Sequence, residues 1–116
     1  MKYNLSLNQV RDAVISVLGL SPSDFYRRNK QEGVTARIMF TYVCRDLLRF
    51  NVSLTKMADY MKLTDHSTVS HYVKIIRQTK EMPESEAKIH NKILQIETYL
   101  QESYSNCLVQ GDFVSD

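Results

Sequence analysis

Within residues 65–71, Asp65, His66, Ser67, Thr68, Ser70 and His71 place six short hydrogen-bonding side chains in seven positions. Such groups are costly to bury without partners. They can cap a helix, whose first backbone N–H groups lack intrahelical acceptors. They can equally be aimed at another molecule. A carboxylate accepts from a cytosine amino group, Ser and Thr hydroxyls bond several bases, and a Thr methyl can touch a thymine methyl. From these residues alone both uses stand.

A second set of residues is cationic. Arg27, Arg28 and Lys30 fall in a short polar stretch that ends at Gly33. Arg37, Thr41, Arg45 and Arg49 recur every four residues, which on a regular helix makes one slowly turning polar stripe. Lys62, Lys74 and Arg77 flank the hydrogen-bonding cluster. Residues 26–80 hold 11 Lys and Arg against 4 Asp and Glu, whereas residues 81–116 hold 2 against 7. A basic centre is the electrostatic footprint of a nucleic-acid binder. A solvated basic surface has the same composition.

Catalytic chemistry finds little support. His66, His71 and His90 lack metal-ligand spacing on a helix, and neither Cys44 nor Cys107 sits beside a suitable base. Cys44 lies in an apolar helical pattern and reads as a small core residue. No GxxxxGK[ST] loop occurs, so no nucleotide, cofactor or metal is expected and the chain reads as no enzyme. No apolar run approaches the ~20 residues of a membrane span, and charges interrupt the first residues as they would not in a signal peptide. The expected location is cytoplasmic, and nucleoid-associated if DNA is the partner.

The elements that must position these residues read as helices. With 116 residues, 3 Gly and 2 Pro, the chain suits one all-α domain. Ser6 and Gln9 form a capping-box pattern before Val10, Val14, Val17 and Leu18, and Gly19 ends that run. Ser21, Pro22 and Asp24 open a second helix, with Phe25 inward. Residues 34–50 are apolar around most of a helix and predict the central element. Ser53 caps a short helix to about Met61, with Leu54, Met57, Ala58 and Met61 inward. After the turn Lys62-Leu63-Thr64, Thr64 or Asp65 caps a longer helix with Val69, Tyr72, Val73 and Ile76 inward. Two helices joined by so short a turn, the second opening with polar residues, form the helix-turn-helix pattern. Its second helix enters the major groove N-terminus first, so Asp65, His66, Ser67 and Thr68 would meet base edges, with Lys74 and Arg77 further along at phosphates. In the same reading His71 can be a core histidine, and Asp65 and Thr68 can be caps.

Pro83 predicts the start of a last helix, with Glu84 and Glu86 in its first turn and Ile89, Ile93, Ile96 and Leu100 on one stripe. The stripe can pack on the domain's own core or serve as a self-association seam. The domain is expected over 1–104, with 105–116 a mobile tail.

The stretch "ARIMFTYVCRDLLRFNVSLTKMADYMKLTDHSTVSHYVKII" resembles the C-terminal DNA-binding domain of the bacterial replication initiator DnaA. Arg37, Arg45-Asp46-Leu47, Ser53-Leu54, Asp65-His66-Ser67-Thr68-Val69 and His71 carry the resemblance, which covers roughly residues 9 to 100. It implies a Trp-repressor-like fold and duplex DNA as partner. It implies Asp65, His66, Ser67 and Thr68 at bases. The loop from Arg27 to Arg37 would then reach the minor groove and phosphates, joined by Arg45 and Lys62. Two features depart from the family. Its "GGR" turn is Lys62-Leu63-Thr64 here, and an arginine two residues before Arg37 is Thr35. The family's target sequence therefore does not transfer, and without the initiator's ATPase module the expected role is DNA binding alone, in replication or regulation. The competing function is a protein-interaction module that keeps the fold and binds a replication or regulatory protein.

Overall fold

The computed structural model describes residues 2–28 and 30–109. Ser6 and Gln9 close a reciprocal capping box on α1 (Leu7–Leu18), and Gly19 ends it at φ 68°. That left-handed value suits glycine, the one residue type without a Cβ to clash. Ser21 and Asp24 build a second capping box on α2 (Pro22–Phe25), and Pro22 occupies its first turn. Asp24 is held below the usual carboxylate range by the hydrogen bonds it shares with Ser21. Next come α3 (Gln31–Tyr42), α4 (Leu54–Tyr60), α5 (His66–Glu81) and α6 (Ala87–Ser103). The architecture is an all-α domain with a helix-turn-helix at α4 and α5 and an amphipathic helix at its C-terminal end.

Helix α3 is central: it packs on α1, α2, α5 and α6. Phe25 meets Phe40 edge-on at 5.4 Å between ring centroids, and Tyr60 stacks on Phe40 at 5.1 Å. These rings join α2, α3 and α4, in geometries aromatic pairs favour. Val10, Val14, Ala36, Met57, Met61, Val69, Ile96 and Leu100 complete the buried centre. Cys44 is buried there as expected, and burial pushes its thiol up to about 12.

The structure corrects several expected boundaries. The helix expected over 34–50 starts earlier, at Gln31, and widens into a π-helical turn over Val43–Leu47. Leu48 is extended and bridges Tyr3 in parallel, where Arg49 N–H donates to the Tyr3 carbonyl at 2.9 Å. An extended edge contact thus replaces the last helical turn. Gly33 lies inside the first turn of α3 instead of closing the loop before it. Pro83 stands in a turn, and α6 begins at Ala87 behind Glu86. Leu54, expected inward, is 38% exposed in the first turn of α4.

The apolar stripe of α6 faces the domain's own core: Ile93, Ile96 and Leu100 are buried and Ile89 is half-buried. Tyr42 of α3 donates a hydrogen bond to Glu97 of α6. Beyond α6, a 3-10 turn over Ser105–Cys107 leads into β2 (Leu108–Val109). This strand pairs antiparallel with β1 (Lys2–Tyr3), and Asn4 N–H donates to the Cys107 carbonyl at 2.8 Å. Of the expected tail, residues 105–107 therefore form a 3-10 turn and 108–109 a paired strand, and 110–116 lie outside the described residues. Among the described residues no helix is long and apolar enough to cross a membrane.

Candidate nucleic-acid interface

The turn between α4 and α5 is built by backbone bonds. Lys62 N–H donates to Asp59 at 3.1 Å and Leu63 N–H to Ala58 at 2.9 Å. These are the two closing bonds of a Schellman motif, whose left-handed position favours glycine. Lys62 occupies that position at φ 59°, the one described non-glycine residue with positive φ. Two contacts offset its strain. The ammonium lies 4.6 Å from the centroid of the Tyr26 ring, and the Lys62 carbonyl accepts from Arg28 Nη2 at 2.8 Å.

Asp65 caps α5: its Oδ1 accepts from Ser67 N–H at 2.9 Å. That bond, helped by His66, holds the carboxyl below its ordinary value. A carboxylate accepts several hydrogen bonds, so capping leaves Asp65 able to accept from a base as well. Behind it the helix divides cleanly. Val69, Tyr72, Ile76 and Thr79 are buried, while His66, Ser67, Ser70, His71, Lys74 and Arg77 are exposed. Thr68 is half-buried. His71 is therefore no core histidine: it joins the exposed polar face.

The loop after α2 lies against this helix. Arg28 shares a cleft with Leu63, Thr64, Asp65, Thr68 and Tyr72, so the structure brings the basic loop to the N-terminal end of α5. Arg27, Arg28 and Lys30 are exposed, as is Arg45 in the π-helical turn. Among the described residues no side-chain hydrogen bond or ion pair joins Arg45 to the loop or to α5, although its neighbour Asp46 pairs with Lys80 of α5 at 2.7 Å.

Arg37 requires a correction. Expected at phosphates or in the minor groove, it is 2% exposed and spends its guanidinium inside the protein. Its Nη1 donates to the carbonyls of Phe25 at 2.8 Å and Arg27 at 2.9 Å, and its Nε donates to the Tyr72 hydroxyl at 3.2 Å. A phosphate contact would have to break this set. Thr41 is buried too, and its hydroxyl donates to the Arg37 carbonyl at 2.8 Å. The four-residue stripe therefore splits. Its first half points at α2 and α5. The π-helical turn then changes the phase and leaves Arg45 at the surface, and Arg49 is exposed beyond the extended Leu48.

Gly33 makes the clamp possible. A Cβ there would stand 2.5 Å from the Arg27 carbonyl oxygen, 2.7 Å from that of Asp24 and 3.2 Å from Arg37 Nη1. Only a glycine lets the loop backbone lie this close to α3. The sequence carried a faint signal for it: Gly33 and Arg37 are one helical turn apart, and a glycine in the first turn of a helix is otherwise a poor choice.

Among the described residues no group of three or more His, Cys, Asp and Glu side chains could hold a metal ion. The interface offers short polar side chains on one helix face and exposed cations beside it. That equipment suits the binding of another molecule.

Comparison with known proteins agrees with this geometry. Residues 7–76 match the model of the bacterial DnaA protein helix-turn-helix. The chromosomal replication initiator protein DnaA of Campylobacter jejuni subsp. jejuni strain 81-176 is 30% identical over 96 residues, covering 82% of this chain and 21% of that protein. The corresponding protein of Campylobacter concisus is 33% identical over 96 residues, covering 78% of this chain and 22% of that protein. That of Campylobacter curvus is 32% identical over the same length. The chain thus spans about a fifth of the length of the curated relatives it matches. No solved structure matches it significantly. With the family model covering more than half of its residues and a helix-turn-helix where that model lies, the chain belongs to the DNA-binding bacterial DnaA helix-turn-helix family.

Proposed function

We propose that this chain binds duplex DNA sequence-selectively, in a replication-related role that involves no ATPase activity of its own. The observation that carries the reading is the exposed N-terminal end of α5, where the cap Asp65 and its neighbours His66 and Ser67 are exposed with the Arg28 loop beside them. In this reading Asp65, His66, Ser67 and Thr68 meet base edges in the major groove. Arg27, Arg28, Lys30, Arg45, Lys62, Lys74 and Arg77 meet phosphates or the minor groove. Arg37 is left out of the contact set. Matching proteins named chromosomal replication initiators support the link to replication.

A salt titration tests the reading. Binding of a duplex through several phosphates weakens steeply and log-linearly with salt. Changing Arg27, Lys30 and Lys74 to Gln should flatten that slope by about one unit per lost contact and weaken all duplexes alike. A slope near zero in the wild type would contradict DNA binding. It would favour the protein-interaction reading, for which Phe50 and Leu54, 42% and 38% exposed at the entry to α4, are the apolar candidates.

A further inference from the structure

We propose that Arg37 and Tyr72 are positioning residues that set the spacing between the basic loop and the recognition helix, and through it the chain's sequence preference. The inference rests on the DNA-binding reading above. Two separate parts of the chain face the proposed ligand: the loop around Arg27 and Arg28, and the first turns of α5. Little secondary structure holds that loop. Its amides at Tyr26 and Arg27 close single turns onto Ser23 and Asp24. Arg37 supplies the link. One nitrogen grips two carbonyls, Phe25 at the end of α2 and Arg27 in the loop, and another grips the hydroxyl of Tyr72 on α5. A rigid planar fork joins loop and helix at fixed distances.

Three observations favour a positioning role over mere filling of the core. First, the guanidinium has only neutral partners: the two described salt bridges, Arg11–Asp12 and Lys80–Asp46, leave it out. A buried cation without a carboxylate is an expensive way to fill space. Second, Gly33 is shaped for this contact, since any Cβ would push the Arg27 carbonyl away. Third, Arg28 makes an outer link parallel to the inner one, from the loop to the Lys62 carbonyl in the turn. Tyr72 lies one turn beyond Thr68, and both line the cleft that Arg28 enters. Loosening the hydroxyl link therefore frees the loop relative to the base-facing side chains without removing any of them.

Tyr72→Phe in the full chain removes the hydroxyl alone. Its binding would be measured against the best duplex selected from a random pool and against a scrambled duplex, each at several salt concentrations. Backbone hydrogen exchange would be followed in the free protein. Affinity for the selected duplex should fall about tenfold and that for the scrambled one should change by less than about twofold. The salt slope should stay as in the wild type, because no phosphate contact is lost. The Tyr26 and Arg27 amides should exchange faster. Unchanged preference overturns the proposal, and so does an equal loss on both duplexes with a flatter slope, which would make this region a phosphate contact. Should Tyr72→Phe fail to fold, Arg37→Lys takes its place: it keeps the charge, loses the fork, and should give the same loss of preference. A wild type that prefers no duplex refutes sequence selectivity itself. The clamp is then decided by loop exchange alone, which is overturned if exchange matches the wild type.

Discussion

Helix α5 and the loop–α3 junction use their polar side chains in opposite ways. On α5 the polar residues of the first turns are outside and the apolar ones inside, so His66 and Ser67 are free to meet a ligand. At the junction an arginine is inside, bonded to two carbonyls and a tyrosine hydroxyl. The difference lies in what surrounds each helix. Helix α5 has one face on the core. Helix α3 is surrounded by α1, α2, α5 and α6, so in its second half even the polar residues Arg37 and Thr41 meet protein. A polar residue on a central helix must find internal partners, and the loop carbonyls that α2 leaves unpaired are such partners.

Cutting the junction at its centre should have the largest effect. Arg37→Met keeps much of the volume but orphans the Phe25 and Arg27 carbonyls. Relief of a buried charge offsets part of the loss, and the net cost should be roughly 3 kcal/mol by urea unfolding. A cost below about 1 kcal/mol would mean that water replaces the guanidinium freely. Gly33→Ala should come next. The added Cβ meets backbone oxygens that cannot swing aside. Better helix propensity returns up to about 1 kcal/mol, leaving a net loss of about 1–2 kcal/mol. An alanine variant as stable as the wild type would show that the loop can move off α3. The smallest effect is expected at Lys62→Gly. It removes left-handed strain of about 1 kcal/mol and loses a cation–π contact of about 0.5 kcal/mol, so the variant should melt slightly higher. A lower melting temperature would show that Lys62 contributes more through Tyr26 than the turn costs it.

How far the sequence reveals this molecule depends on the same contrast. The capping boxes at Ser6 and Ser21, the turn after Met61 and the cap at Asp65 are local features, and local side-chain chemistry determines them. The inward set Val69, Tyr72 and Ile76 follows from helical spacing with a single buried face. The fate of Arg37 does not, because it depends on an approach between residues 12 and 35 positions apart. Periodicity also misled in joining the buried Arg37 and Thr41 to the exposed Arg45 and Arg49 in one stripe. It assumes an unbroken α-helix, whereas the π-helical turn inserts a phase change that no residue type announces. The strand pairing of residues 2–3 with 108–109 was illegible for the same reason, since two-residue strands have no period to read.

In the proposed function the exposed first turn of α5 reads bases. His66→Ala tests it most directly, because His66 caps nothing and is exposed, so its loss should leave the fold intact. Wild type and variant would be taken through selection from random duplex DNA at one fixed salt concentration. The variant should relax its preference at one or two base pairs, with a loss of about 1–3 kcal/mol there and unchanged non-specific binding. Identical selected profiles, with binding intact in both, would contradict it.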